Sequence, residues 1–160
     1  MAGFCWPASG LTDKLYYEDF TDGMVIPFRT YHLSRDEVIA YAREWDPQPM
    51  HLDEEAGKNS VLGGLAASGW QSSAILIRLA VEAYANKSAA MASSGMDEVK
   101  WLKPVYAGET LSGRCTVLSR RVSSKRPEMG ILKMKFELFN TEGELKVEIT
   151  GVQFMGVRNP

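Results

Sequence analysis

Asp46 and His51 are the two side chains whose types and spacing best suit catalysis, and they lie five positions apart in the hexapeptide DPQPMH. His51 is one of only two histidines in the chain. Each proline fixes its own φ and disfavours a helical residue before it, so we expect Asp46 and Gln48 to be extended and the segment to be stiff. Such a segment can direct a carboxylate and an imidazole at one volume, as general acid–base catalysis requires. The simpler interpretation is a surface turn in which Asp46 ends a helix and His51 is solvated.

Length and composition indicate one globular domain. The chain has 160 residues, of which 45% are hydrophobic and 24% are charged, and its net charge is −2. This charge is too balanced for nonspecific nucleic-acid binding, and no apolar run approaches the roughly 18 residues of a membrane span. The N-terminus lacks the features of a secretory signal. We therefore expect a cytoplasmic protein.

The cysteine content argues against disulfide and zinc frameworks. Cys5 and Cys115 are far apart and belong to no recognisable motif. A structural zinc site would need four ligands of the Cys or His type, and no cluster of carboxylates has the spacing of metal ligands. A reducing compartment is the expected setting.

Two helices are predicted before the last third of the chain. Ser34 and Glu37 form a capping box that begins a helix, and this helix should end at Trp45, just before the Asp–Pro junction. A longer helix over residues 68–86 is apolar around most of its circumference. A helix with this pattern should be buried on most sides.

Strands are predicted on either side of the long helix, and most of them follow it. The predicted strands cover residues 24–33, a segment from 97 onward, 111–122, 130–140 and 145–157. Residues 1–15 read as an N-terminal extension and residues 16–160 as a single domain. The elements together indicate an α+β fold in which an antiparallel sheet wraps around one long central helix.

Three sequence signatures follow one another in a specific order. The first is AREWDPQPMHLD at positions 42–53, the second is ASGW at 67–70, and the third is WLKPVYAGETL at 101–111. Together they resemble the MaoC-like dehydratase family, which includes the (R)-specific enoyl-CoA hydratases. The resemblance runs from about residue 20 to the C-terminus and implies the hotdog fold.

The resemblance implies an enzyme of fatty-acid metabolism, a hydro-lyase that reversibly hydrates a 2-enoyl-CoA to an (R)-3-hydroxyacyl-CoA. It implies that Asp46 and His51 are the catalytic pair and that the backbone amide of Gly69 donates to the thioester carbonyl. One group must take a proton from water and another must deliver a proton to C2. We assign the water to Asp46 and the C2 proton to His51, although the sequence also permits the reverse.

Gly69 suits its implied role on physical grounds. An amide at a helix N-terminus favours the negative charge that builds on the thioester oxygen. Losing one such donor typically costs about 2.7–4 kcal/mol of barrier. A glycine also lets a ligand approach the backbone closely.

The resemblance also implies the ligand and the assembly. Gln48, Pro49, Ser68 and Trp70 are the expected substrate-binding residues. No metal or redox cofactor is needed, because coenzyme A, or the phosphopantetheine arm of an acyl carrier protein, belongs to the small-molecule acyl thioester. The expected partner is a second copy of the chain, in a homodimer or a dimer of dimers whose sheets join edge to edge, with no nucleic acid or membrane. Gln48 replaces the family's usual Asn, and Ile77 lies where well-known hydratases carry a serine, so the polarity of the pocket should differ.

Other candidate residues have simpler structural interpretations. His32 has no carboxylate nearby in sequence and reads as an ordinary strand histidine. Asp53 should cap the next helical turn, with support of the site as the alternative. Ser68 reads as a helix N-cap. A hydrolytic triad of Ser68, His51 and a carboxylate is disfavoured, because the chain has no Gly-x-Ser-x-Gly elbow.

Aromatic and basic clusters leave further alternatives open. Trp45, Trp70 and Trp101 are expected in the core or in the wall of a pocket. Basic side chains surround a predicted hairpin turn, where they are either solvated, which we favour, or bound to the phosphates of coenzyme A. These side chains are Arg120, Arg121, Lys125 and Arg126. Two rival functions remain: a hotdog thioesterase, against which the Asp-x4-His pair argues, and a noncatalytic protein that binds acyl thioesters.

Overall fold

The computed structural model describes residues 14–159. The helices in this part of the chain are α1 (Arg35–Trp45), α2 (Pro49–Leu52), α3 (Glu54–Lys58) and α4 (Gly69–Ala83), with 3₁₀ turns at Tyr17–Asp19 and Ala85–Lys87. The strands are β1 (Val25–Pro27), β2 (Tyr31–His32), β3 (Ala90–Trp101), β4 (Thr110–Val122), β5 (Met129–Asn140) and β6 (Leu145–Gly156).

All six strands form one antiparallel sheet in the order β1-β4-β5-β6-β3, and β2 pairs with β4 beside β1. β1 and β2 therefore share one edge of the sheet, and β3 forms the other edge. Helix α4 packs against β4, β5 and β6. Apolar side chains from both layers fill the space between them, and the largest fully buried ones include Leu76, Leu79, Leu132, Phe136 and Ile149. An antiparallel sheet that wraps one long helix confirms the predicted hotdog fold.

Helix α1 begins and ends where the sequence predicts. The Ser34 side chain accepts from the amide of Glu37, and the Glu37 side chain accepts from the amide of Ser34, as in a capping box. The last helical residue is Trp45, and Asp46 is the C-cap with φ −152°. Gln48 is extended with φ −82° and ψ 139°. Beyond it the segment returns to helix, because Pro49 occupies the first turn of α2, a position where proline's fixed φ is favourable.

Three predicted element boundaries differ from the observed ones. The single strand expected over 24–33 is divided into β1 and β2. It breaks after Pro27, which has no amide to donate to a ladder. β3 begins at Ala90, earlier than expected, because its pairing with β6 overrides the low strand propensity of its Ala, Ser and Gly residues. Helix α4 ends at Ala83 and is followed by a 3₁₀ turn.

One stripe of α4 and all of β3 are less buried than the sequence predicts. Trp70 is 60% exposed and Val81 is 36% exposed. Every residue of β3 except the half-buried Val99 is exposed, although Trp101 at its end contacts Gly69 and Ser73 of α4. Trp45, expected in the core or in a pocket wall, is 68% exposed. The sequence pattern identifies these side chains as apolar, but their burial depends on which layer reaches them.

The packed part of the chain includes the last residue of the predicted extension. Leu15 is 5% exposed, and its backbone bonds to Lys87 and Ala89. Residues 1–13 of the predicted extension, including Cys5, lie outside the described residues. No helix within residues 14–159 is long and apolar enough to cross a membrane.

Candidate active site

A cavity of about 370 Å³ lies where three parts of the chain meet. These parts are the segment from Asp46 to His51, the beginning of α4, and the segment that follows β3. Each part belongs to or overlaps one of the three sequence signatures. The fold therefore brings together motifs that are separated in the sequence by 13 residues (54–66) and 30 residues (71–100).

Asp46 is held by hydrogen bonds to both of its carboxylate oxygens. Ser68 Oγ donates to Oδ2 at 2.6 Å, and Gln48 Nε2 donates to Oδ1 at 2.7 Å. These bonds, that from Ser68 first, outweigh partial burial and lower the pKa of Asp46 below its ordinary value. The carboxylate is therefore ionised at neutral pH and can only accept hydrogen bonds.

His51 is buried, with 5% of its surface exposed, and its ring orientation is fixed by the backbone. Its Nδ1 lies 2.8 Å from the carbonyl oxygen of Ala66. Because a carbonyl oxygen only accepts, Nδ1 carries a hydrogen and donates it, so in the neutral ring Nε2 is the acceptor. Nε2 lies 3.7 Å from Asp46 Oδ2.

The N-terminus of α4 forms another wall of the cavity. Ser68 is the N-cap, since its side chain accepts from the amide of Trp70 at 3.3 Å. Gly69 is the first residue of this 15-residue helix. Within residues 14–159 its amide has no hydrogen-bond acceptor. This free donor and the positive end of the helix dipole both favour negative charge in the cavity.

Trp101 lies against Gly69 and closes one side of the cavity. A Cβ at position 69 would come within 2.6 Å of the Trp101 indole. The indole Nε1 donates to Ser73 Oγ at 3.0 Å, and Ser73 Oγ donates to the carbonyl oxygen of Gly69 at 3.0 Å. Trp70 meets the Trp101 ring edge to face, with centroids 5.1 Å apart. The absence of a side chain at Gly69 therefore makes room for the indole, a reason that the sequence interpretation did not include.

Lys146 stabilises the segment after β3, and the sequence interpretation missed it. Its side chain is 3% exposed, and Nζ lies 3.0 Å from Glu109 Oε1, 3.2 Å from Glu144 Oε2 and 3.1 Å from the carbonyl oxygen of Pro104. Its own carbonyl oxygen accepts from the amide of Leu102 at 2.8 Å. Burial alone would lower the pKa of Lys146, but the bonds from its ammonium to the two glutamates raise it. No sequence signal identified Lys146, because a lysine that alternates with apolar residues on a strand normally indicates a solvated face.

Most of the predicted site residues line the cavity. They are Asp46, Gln48, His51, Ser68, Gly69 and Trp70. Pro49 is the exception, because it forms the first turn of α2 and does not line the cavity. Asp53 caps α3 by accepting from the amide of Ala56 at 2.9 Å.

The other candidates lie elsewhere. His32 is exposed beside Thr110. The turn that carries the basic side chains joins β4 to β5. It lies next to Gly130 of β5, which pairs with Met155 of β6. Met155 lies eight residues along β6 from Val147 at the cavity, which corresponds to about 26 Å. These basic side chains therefore do not reach the cavity of their own chain.

Comparison with known proteins identifies the family. Residues 19–134 match the family described as MaoC-like domain. The chain belongs to the MaoC-like dehydratase family. The YdeM protein of Bacillus subtilis is 34% identical over 138 residues, which cover 82% of this chain and 96% of that protein.

Solved structures of similar proteins support the same family and fold. A MaoC-like dehydratase from Rhodospirillum rubrum is 34% identical, with a TM-score of 0.84, and the match covers 91% of this chain and 99% of that chain. The R-hydratase PhaJ1 from Pseudomonas aeruginosa is 19% identical, with a TM-score of 0.70, and the match covers 89% of this chain and 86% of that chain. At this identity the second likeness concerns the fold alone.

Proposed function

We propose that this MaoC-like protein catalyses the reversible hydration of a 2-enoyl thioester to a 3-hydroxyacyl thioester. One observation carries the proposal: Asp46 Oδ2 and His51 Nε2 lie 3.7 Å apart at one cavity, which the Gly69 amide also lines. At this separation one water molecule can contact both atoms. The cavity thus offers a site for water, a proton carrier and a donor for an oxyanion.

The two catalytic side chains have different tasks in the proposed reaction. Asp46 is ionised, so it accepts a hydrogen bond from the water and orients the water oxygen toward C3. His51 Nε2 takes a proton from that water as the oxygen bonds to C3, and then delivers a proton to C2. The product gains one OH group at C3 and one hydrogen at C2, which balances the addition of water. This assigns the C2 proton to His51, as the sequence interpretation did, and limits Asp46 to positioning the water.

Charge in the transition state accumulates on the thioester oxygen. The free amide of Gly69 is the donor that suits this oxygen, because it lies at the positive end of α4. Ser68 and Gln48 support the reaction indirectly by holding the Asp46 carboxylate. Trp70 and Trp101 provide an apolar wall for the acyl group.

The substrate and the assembly complete the proposal. Coenzyme A or a phosphopantetheine arm carries the acyl group, and the product has the R configuration, as the family resemblance implies. We also propose a homodimer in which two β3 edges pair. Support comes from β3 itself, which is the longer of the two sheet edges within residues 14–159 and exposes Met91 (52%) and Met96 (41%). Pairing two such edges removes an exposed ladder of backbone groups.

Crotonyl-CoA provides the test of the activity. The protein is incubated with this thioester while the loss of enoyl absorbance and the release of free thiol are followed together. His51→Ala should lower the rate at least about 100-fold, the usual minimum for general acid–base groups. Asp46→Asn should lower it by about 100-fold as well, because a misplaced reactant can cost that much even when the proton carrier is intact. Asp36→Asn and His32→Ala are matched controls and should retain the native rate, because Asp36 is 95% exposed and His32 lies outside the cavity.

Each outcome has a definite meaning. Loss of enoyl absorbance without thiol supports the hydratase, and thiol release would indicate a thioesterase instead. If neither signal changes, hydration of crotonyl-CoA is refuted and a binding protein becomes the better description. Near-native turnover by either cavity variant would contradict the assignment of the pair.

A further inference from the structure

Lys103 is the only lysine or arginine among the described residues that line the catalytic cavity. Its side chain is 53% exposed, whereas Ser72, Val105 and Val147, which also line the cavity, are no more than 2% exposed. The cavity therefore runs from a buried floor to an open rim, and Lys103 lies at the rim. Because the Asp46 carboxylate is negative, an anionic part of a ligand is repelled by Asp46 and attracted to Lys103.

The Lys103 side chain is directed toward the turn between β5 and β6. Its amide donates to the carbonyl oxygen of Lys146 at 3.3 Å, and its Nζ donates to Glu144 Oε1 at 2.5 Å. Glu144 immediately precedes β6, and β6 pairs with β3 on the side away from the unpaired edge of β3. The ammonium group is therefore directed away from the β3 edge that the proposed homodimer would cover.

Glu144 keeps a cation when Lys103 leaves it. Its Oε2 lies 3.2 Å from Nζ of Lys146, whose side chain is 3% exposed. The side chains in the ion pair of Lys103 and Glu144 are 53% and 35% exposed, and such solvent-accessible pairs contribute little to stability. Phosphate oxygens accept charge-assisted hydrogen bonds as a carboxylate does. Lys103 can therefore exchange Glu144 for a phosphate without leaving a carboxylate unpaired.

We propose that Lys103 binds the phosphate at the end of the pantetheine arm, a group that coenzyme A shares with the phosphopantetheine arm of an acyl carrier protein. The inference rests on the proposed function and adds to it the residue that recognises the carrier of the acyl group. A cavity of about 370 Å³ is near the lower end of the roughly 300–1,000 Å³ range of ligand pockets. It holds the acyl group, the thioester and part of the arm, so the phosphate must lie outside it, at the rim where Lys103 is.

Lys103 takes the role for which the basic turn between β4 and β5 was an alternative. The side chains of that turn do not reach the cavity of their own chain, whereas Lys103 lies in the third sequence signature, directly after β3. The carbonyl oxygen of the next residue, Pro104, accepts from Nζ of Lys146 at 3.1 Å, so the segment that carries Lys103 is fixed relative to the cavity. A fixed backbone with a flexible side chain and a compact charge suits contact with a phosphate.

Crotonyl thioesters whose carriers increase in length provide the test with the full chain. They are crotonyl-pantetheine, crotonyl-phosphopantetheine, crotonyl-dephospho-CoA and crotonyl-CoA. In the native protein KM should fall between the first and the second thioester, where the phosphate is added. Lys103→Met should raise KM for the three thioesters with this phosphate by roughly fivefold or more, which is less than for a buried charged hydrogen bond because Lys103 is half-exposed. The KM for crotonyl-pantetheine and the kcat for every thioester should stay near their native values.

Further variants separate the charge of Lys103 from its structural contacts. Lys103→Arg keeps a cation at the rim and should retain most of the phosphate effect, whereas Lys103→Gln should behave like Lys103→Met. Lys133→Met is the matched control, because it also removes an exposed lysine from an ion pair but does not line the cavity. It should leave the four KM values native. Urea denaturation should give near-native stability for each Lys103 variant, since Glu144 keeps its contact with Lys146.

Three results with Lys103→Met would overturn the inference. An equal rise of KM for all four thioesters would show that Lys103 shapes the cavity and binds no phosphate. A rise for crotonyl-CoA alone would assign the effect to the ribose phosphate, and no rise would remove Lys103 from recognition of the carrier. The two sources of the phosphate are compared with crotonyl-CoA and a crotonyl-loaded acyl carrier protein. The one with the higher native kcat/KM is the carrier, and Lys103→Met should lower that kcat/KM.

Failure of the proposed function gives a different result. If the native protein hydrates none of these thioesters, the hydratase assignment fails, and the inference is tested by binding alone. Butyryl-phosphopantetheine and butyryl-pantetheine are then titrated against the tryptophan fluorescence that Trp70 and Trp101 provide at the cavity. Tighter binding of the phosphorylated ligand by the native protein, lost in Lys103→Met, supports the phosphate contact. Equal affinities in the native protein, or an unchanged difference in the variant, refute it.

Discussion

Ser68→Ala tests whether the site depends on the hydrogen bond that Ser68 donates to Asp46. In the native chain Ser68 Oγ donates to Asp46 Oδ2 at 2.6 Å and accepts from the Trp70 amide at 3.3 Å. The substitution removes both contacts. Gln48 still holds the other carboxylate oxygen at 2.7 Å.

The expected magnitude follows from these contacts. A hydrogen bond to a charged group contributes about 1.5–3 kcal/mol. The Asp46 side chain is 20% exposed and keeps its bond from Gln48, so we expect the lower value. About 1.4 kcal/mol corresponds to a factor of ten, so kcat/KM should fall roughly tenfold. The lost cap should lower the free energy of unfolding by about 1 kcal/mol, and the lost bond to the Asp46 carboxylate should lower it further.

The contribution of Asp46 to the free energy of unfolding depends on pH with a definite sign. Hydrogen bonds from Ser68 and Gln48 lower the pKa of Asp46 in the folded state. The ionised carboxylate therefore stabilises the fold above the unfolded-state pKa, and this contribution is lost as pH falls through the folded-state pKa. Ser68→Ala raises the pKa of Asp46, so the contribution becomes smaller and is lost at a higher pH than in the native chain.

Three measurements check this prediction: crotonyl-CoA hydration near pH 7, urea denaturation, and NMR titration of the Asp46 carboxyl carbon. Ser34→Ala is the matched control, because it removes the N-cap of α1 and makes no contact with Asp46. It should lose about the stability of one cap while the rate and the Asp46 titration stay native. If Ser68→Ala behaves like Ser34→Ala in all three measurements, Ser68 is only a helix cap and the reasoning is wrong.

Two further substitutions probe the walls of the cavity. Lys146→Met leaves Glu109 and Glu144 without their ammonium partner. The free energy of unfolding should fall by on the order of 3 kcal/mol. The substitution should also raise KM more than it lowers kcat. Urea denaturation and steady-state kinetics check this prediction, with Lys133→Met as the control. Lys133 forms an exposed ion pair with Asp97, and its loss should lower the free energy of unfolding by less than about 1 kcal/mol. Equal losses of stability in the two variants would contradict the role of Lys146. Gly69→Ala should cost about 1–3 kcal/mol, because its Cβ would lie 2.6 Å from the Trp101 indole. In the same denaturation assay, the double variant Gly69→Ala/Trp101→Ala should recover part of that loss. If the losses of the two single variants simply add in the double variant, the contact between the new Cβ and the indole is not the cause.

Local sequence patterns were sufficient for the elements that depend on neighbouring residues. The capping box at Ser34 and the Asp–Pro step at Asp46 predict both ends of α1, because sterics and short-range hydrogen bonds determine them. The alternation of apolar and charged residues predicts β5 within one residue of its observed bounds. The same patterns predict that a long apolar helix needs a sheet to cover it.

Contacts between distant parts of the chain determined the extent of β3 and the burial of individual side chains, which local patterns did not predict. The strand β3 exists from Ala90 because β6 offers a partner, although its own residues have low strand propensity. Lys146 is buried because Glu109 and Glu144 come to it through the fold. Trp45 continues the helical spacing of the buried Val38 and Ala42 but is itself 68% exposed, so its spacing alone did not decide its burial.

The sequence by itself determined that Asp46 and His51 lie on one short segment whose backbone is restricted by two prolines. Only the tertiary structure decided how the two side chains are held. Ser68, 22 positions away, binds the carboxylate, and the carbonyl of Ala66, 15 positions away, orients the imidazole. The physical reason is that backbone sterics act between neighbours, whereas a hydrogen bond between distant residues forms only after the sheet has brought the N-terminus of α4 beside the α1–α2 segment.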